Sequence, residues 1–143
     1  MQIVFDEASL ARGTGKSRSV TGVVYYDFSG FLFPAERWSD FIAVVVTWWL
    51  EALEKMGRGT EQEAVLRFMD GPYFLRLIAI SDDIVLVKCV EDRSDAGVVH
   101  EEHVSLTDFR AQLQRLARQI AWACKQRGWE STDLDALKSH LPN

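Results

Sequence analysis

Phe28-Ser29-Gly30-Phe31-Leu32-Phe33-Pro34-Ala35-Glu36-Arg37-Trp38-Ser39-Asp40-Phe41 runs directly into Ile42-Ala43-Val44-Val45-Val46-Thr47-Trp48-Trp49-Leu50-Glu51-Ala52-Leu53. A loop rich in breakers feeds a long apolar segment. Ser39 has the chemistry of an N-cap, with Asp40 favourable in the first turn. Gly57-Arg58-Gly59 supplies the stop, so a helix is expected from just after Ser39 to about Met56. At about 100° per residue, only Thr47, Glu51, Glu54 and Lys55 form a polar wedge. A helix apolar over most of its circumference must be covered by more than a sheet alone. It is expected to lie between a sheet and a second helix. A homodimer or partner surface using Trp48 or Trp49 is the alternative.

Working outward, Met1–Phe5 and Ser19–Phe28 read as strands, with a polar loop from Glu7 to Ser17 between them. Val20, Gly22, Val24, Tyr26 and Phe28 share one face of the second strand. After the helix, Thr60–Met69, Tyr73–Ile80 and Ile84–Val90 read as an antiparallel meander turned at Asp70-Gly71-Pro72 and Ser81-Asp82-Asp83. Val98–Val104 is a candidate edge strand. Ser105, with Asp108 three residues on, starts a second helix that ends at Gly128, and Asp133–His140 is a candidate short helix. The expectation is an α+β fold: an antiparallel sheet of about five strands with two main helices packed on one face. No linker or repeat divides residues 1–143, which are read as a single domain.

Composition narrows the function. The chain is 48% hydrophobic and 26% charged, the balance of a globular protein. A net charge of −5 argues against a general nucleic-acid binder and fits a basic protein partner. Cys89 and Cys124 are far apart in apolar patterns, with neither disulfide nor zinc spacing, and suit a reducing cytosol. The longest apolar run, Phe41–Leu50, is about half a membrane span, and no secretory leader is apparent. A cytoplasmic protein without a membrane partner is expected.

Motifs for chemistry are weak. Gly13-Thr14-Gly15-Lys16-Ser17 lacks the first Gly of a P-loop, since Leu10 stands there, and a strand rather than a helix follows. His100-Glu101-Glu102-His103 lacks the i, i+4 spacing of a metal-binding pair, and on a strand its two His face opposite sides. No Ser or Cys sits in a nucleophile motif. No catalytic residue, cofactor or metal ligand is assigned. Acidic residues instead gather at the strand turns: Asp82 and Asp83, then Glu91, Asp92 and Asp95, then Glu101 and Glu102. They form either a solvated rim or a phosphate-like surface for a basic partner. Trp122 falls on the polar side of the second helix, between Arg118 and Lys125. It is either covered by the C-terminal segment, stacked on by Arg118, or part of a contact patch.

Three stretches together resemble a known family: Phe33-Pro34-x-Glu36-Arg37-Trp38-Ser39-Asp40-Phe41, Trp48-Trp49-Leu50-x-Ala52-Leu53 and Phe68-Met69-Asp70-Gly71-Pro72-Tyr73. They resemble the immunity proteins of bacterial polymorphic-toxin and contact-dependent growth inhibition systems. The match covers Phe28–Tyr73. It implies a non-enzymatic cytosolic protein that binds one cognate toxin domain, often a nuclease, and occludes its active site. It also implies that Trp38 and Phe41 seat the helix and that Gly71-Pro72 fixes a hairpin. Contact residues are then expected elsewhere: Asp82, Asp83, Glu91, Asp92, Asp95, Glu101, Glu102 and Trp122. Two other classes stay open. A small hydrolase needs His100 or His103 beside carboxylates in a concave site. A regulatory adaptor would dimerise through Trp48 and Trp49.

Overall fold

A computed structural model describes residues 1–15, 18–93 and 97–142. The fold is α+β, with two four-stranded antiparallel sheets and three helices among the described residues. The first sheet comprises β1 (Gln2–Arg12), β2 (Val20–Phe28), β3 (Phe31–Phe33) and β4 (Ser39–Asp40); β1 lies on one side of β2, and β3 and β4 both pair with β2. α1 (Ile42–Gly57) follows. The second sheet is a meander of β5 (Glu63–Arg67), β6 (Tyr73–Ala79), β7 (Ile84–Glu91) and β8 (Val98–Ser105). α2 (Leu106–Gln126) and α3 (Thr132–Lys138) close the chain.

The single sheet expected from the sequence is two sheets, and the first of them also departs from the expected element bounds. Glu7–Ser9 is a bulge in a continuing strand rather than the start of a loop. The β1–β2 register shifts between Asp6 and Ala11. The Ser9 hydroxyl accepts from the Val23 N–H at 2.8 Å, in place of a ladder bond, and the Asp6 carboxylate accepts from the Ala8 N–H at 3.0 Å. The loop before α1 also contributes two short strands. Ser39 pairs with Val23 and Asp40 with Gly22. That pairing holds Ser39 extended, so it does not cap α1; Phe41 takes the N-cap position without a side-chain cap.

Val20, Gly22, Val24, Tyr26 and Phe28 are all buried, as their alternation predicts. Tyr26 is the hub: its ring meets Trp49 at 5.3 Å, Phe68 at 5.9 Å and Phe109 at 6.0 Å. α1 packs against β2, β5, α2 and α3, which explains its broad apolar surface. Its polar wedge is narrower than the wheel suggests. Thr47 is buried and donates its hydroxyl to the Ala43 carbonyl at 2.7 Å. Trp49 is fully buried and donates Nε1–H to the Arg67 carbonyl at 2.7 Å. That removes Trp49 from any surface, whereas Trp48 is 40% exposed and Phe41 36%.

Ser105 caps α2, accepting from the Asp108 N–H at 3.1 Å. The helix ends in a Schellman turn, with Gly128 at φ +68° and the Trp129 N–H donating to the Cys124 carbonyl at 3.0 Å. α3 buries Leu134 and Leu137 against α1 and α2. It is tied down at both ends: the Asp133 carboxylate accepts from the Val20 N–H at 3.0 Å, and His140 meets Glu54 at 2.9 Å and Glu51 at 3.3 Å.

Candidate protein-binding surface

The two stretches that most mark the family resemblance meet in space. Asp40 is buried, and its carboxylate accepts from the Trp38 indole N–H at 3.0 Å, the Phe41 N–H at 2.7 Å and the Asp70 N–H at 3.2 Å. The Trp38 ring stands edge-on to Tyr73 at 5.2 Å. Gly71 has φ +78°, and a Cβ there would come within 2.9 Å of Tyr73 and 3.2 Å of Trp38. Only glycine fits that turn. One buried carboxylate thus locks the entry to α1 onto the β5–β6 hairpin. This stretch is scaffold.

The acidic candidates do not form one patch. Asp82 and Asp83 lie in the β6–β7 turn, beside the start of α2. Asp83 is occupied: its carboxylate accepts from the Thr107 N–H at 3.0 Å, the Thr107 hydroxyl at 2.6 Å and the Ser105 hydroxyl. These hydrogen bonds, the Ser105 one foremost, hold its pKa below the ordinary value. Glu91 and Asp92 lie at the far end of β7, where Glu91 pairs with Arg93 at 2.8 Å and the Asp92 N–H donates to the Pro72 carbonyl at 2.7 Å. Asp95 lies outside the described residues. Glu101 is exposed on β8, opposite Lys88. Glu102 points the other way, 3.8 Å from the N-terminal amine and 3.7 Å from His100. Successive turns of a meander emerge at opposite ends, so these groups are dispersed.

The remaining motifs resolve structurally. His100 is stacked on Phe31 at 4.6 Å, while His103 is exposed on the opposite face. Among the described residues no three His, Cys, Asp or Glu side chains are placed to hold a metal ion. Gly13–Gly15 belongs to the β1–β2 connection, and the Gly13 N–H donates to the Ser19 carbonyl at 2.9 Å; Lys16 and Ser17 lie outside the described residues. Cys89 and Cys124 are buried, and burial pushes the Cys89 thiol up to about 12.

Trp122 is different. It is 59% exposed, more than any other large hydrophobic side chain among the described residues. α3 covers other faces of the helices, and the Trp122 ring stays open. It lines a groove of about 370 Å³ with Glu7, Arg115, Arg118 and Gln119. A second groove, of about 360 Å³, lies between Gln2–Phe5 of β1 and Gln112, Arg115, Leu116 and Gln119 of α2. The two adjoin at Arg115 and Gln119, giving an interrupted channel along the α2–β1 seam. The sequence flagged Trp122 and Arg118 but missed the strand edge. Its one available signal was Gln112, a polar side chain on the buried stripe of α2.

Among the described residues, no helix is long and apolar enough to cross a membrane. No protein-family model, curated protein or solved structure matches the chain.

Proposed function

We propose that this chain is a cytoplasmic protein-binding domain that neutralises a cognate bacterial toxin domain by occluding its active site. The observation that carries the binding reading is Trp122: a large aromatic left exposed on a long, well-anchored helix, flanked by Arg115 and Arg118. Trp and Arg on a rigid element are the residue types that dominate protein interfaces. The toxin reading adds the resemblance over Phe28–Tyr73. Asp82, Asp92 and Glu101 remain free to contribute steering charge at the rim.

The test is co-expression with a toxic domain encoded directly beside this gene. Growth should be rescued by the wild-type chain. Alanine changes across both acidic loops and at Trp122 should weaken the measured affinity for that domain. Absence of rescue sinks the toxin pairing, and unchanged affinity sinks the surface assignment. A second reading, an adaptor that dimerises, is favoured by Phe41 and Trp48, which stand two turns apart on α1 and are both exposed. A solution mass of one chain would exclude it.

A further inference from the structure

We infer that the seam between β1 and α2 is a receptor for an extended acidic segment of the partner, which adds to β1 as a strand. The inference rests on the protein-binding reading above and specifies the chemistry of what binds at Trp122. β1 is an edge strand. At its start the edge is already filled by a side chain imitating a neighbour. The Gln112 amide accepts from the Ile3 N–H at 2.9 Å and donates to the Met1 carbonyl at 3.0 Å, the pair of bonds that a residue of an added parallel strand would make. Phe5, two residues on, presents its backbone to the same side. Its partner Val24 gives its N–H to the Trp38 carbonyl across the sheet, so Phe5 and Val24 are not a hydrogen-bonded pair. Here the edge opens into the channel, and Gln112 marks where an incoming strand would begin.

The wall facing this edge sets the charge of the occupant. Arg115, Arg118 and Trp122 follow one another at i, i+3 and i+7 along α2. Neither Arg makes an ion pair among the described residues, on a chain whose net charge is −5. Guanidinium groups there fit carboxylates through paired N–H donors. The Trp122 face takes an apolar group from the same segment, the methyl of a Thr sufficing. Backbone bonds to the Phe5 edge give affinity and the Arg–Trp wall gives selectivity, the division of labour of strand addition.

The experiment is fluorescence anisotropy with the full chain and a short labelled peptide alternating Glu and Thr. The peptide should bind, and a peptide alternating Lys and Thr should not. The exposed changes Arg115→Glu with Arg118→Glu, and separately Trp122→Ala, should weaken binding at least about tenfold while leaving the circular dichroism spectrum intact. Methylating alternate backbone nitrogens of the Glu peptide should weaken it to a similar degree. Any one of three outcomes overturns the proposal: no binding of the Glu peptide up to millimolar concentration, equal binding of the Lys peptide, or binding indifferent to both variants and to backbone methylation. Preferential binding of a single-stranded DNA oligonucleotide would overturn it in favour of nucleic acid. No toxin is present, so this failure is separate from a failure of growth rescue.

Discussion

Two buried polar side chains show how a single residue is held by its surroundings. Asp40 satisfies three donors from three points of the chain. Asp40→Ala should cost about 1–3 kcal/mol in urea unfolding, because the Trp38 indole and the Asp70 amide lose their acceptor in hydrogen bonds that are only partly buried. Tyr26 is the opposite case. Its ring joins the aromatic cluster, but its hydroxyl is buried without a partner among the described residues, and desolvation raises its pKa well above the ordinary value. Tyr26→Phe should leave stability unchanged or raise it by about 1 kcal/mol, since it removes only the unpaired group. A loss larger than this in the same unfolding assay would show that the hydroxyl has a partner.

At the scale of elements, the start of α2 depends on the turn before β7. Ser105 supplies the cap and Asp83 fixes both Ser105 and Thr107, while the Leu106 N–H donates to the Asp83 carbonyl at 2.7 Å. Ser105→Ala should cost about 1 kcal/mol. The Asp83 carboxylate is held below its ordinary value of 3.8 in the folded state. Its contribution is therefore complete above the unfolded value and is lost as pH falls through 3.8 and then through the lower folded value. Thermal scans between about pH 5 and about pH 2 should show Asp83→Asn with a shallower acid loss than the wild type. Equal slopes would show that the turn does not couple to folding. This residue was read from sequence as a contact candidate, and its place in the fold is a bracket for α2.

Across the whole molecule, residues from both sheets and all three helices join one hydrophobic cluster. Unfolding should therefore be one transition. Circular dichroism, tryptophan fluorescence and thiol labelling should give coincident urea midpoints. Cys89 and Cys124 provide the third probe because both are buried, with thiols raised by desolvation. They should be unreactive in the folded chain at neutral pH and both should label on unfolding. Labelling of either before the other signals change would reveal a separately opening part.

Much of this arrangement was legible along the chain. The alternation of Val20 to Phe28 set a buried face, because side chains on a strand alternate whatever lies beyond it. Gly57–Gly59, Ser105 and Gly128 set helix ends through local backbone chemistry. The apolar girth of Phe41–Leu53 required several covering elements. Other features depend on groups distant in sequence. Ser39 looked like a cap and became a strand because β2 was there to pair with it. Glu7–Ser9 looked like a loop and became a bulge because the Ser9 hydroxyl met the Val23 amide. The acidic residues looked alike, yet Asp83 is bound into a helix start and Glu101 stands in solvent. The binding surface divides in the same way. Trp122 was visible as an aromatic out of phase with its helix, a one-dimensional property. The channel beside it exists only because α2 lies along the edge of β1, bringing Gln112 and Arg115 against residues more than a hundred positions away. Periodicity and capping are local and can be read in order; a groove is the space between two elements, and only their packing creates it.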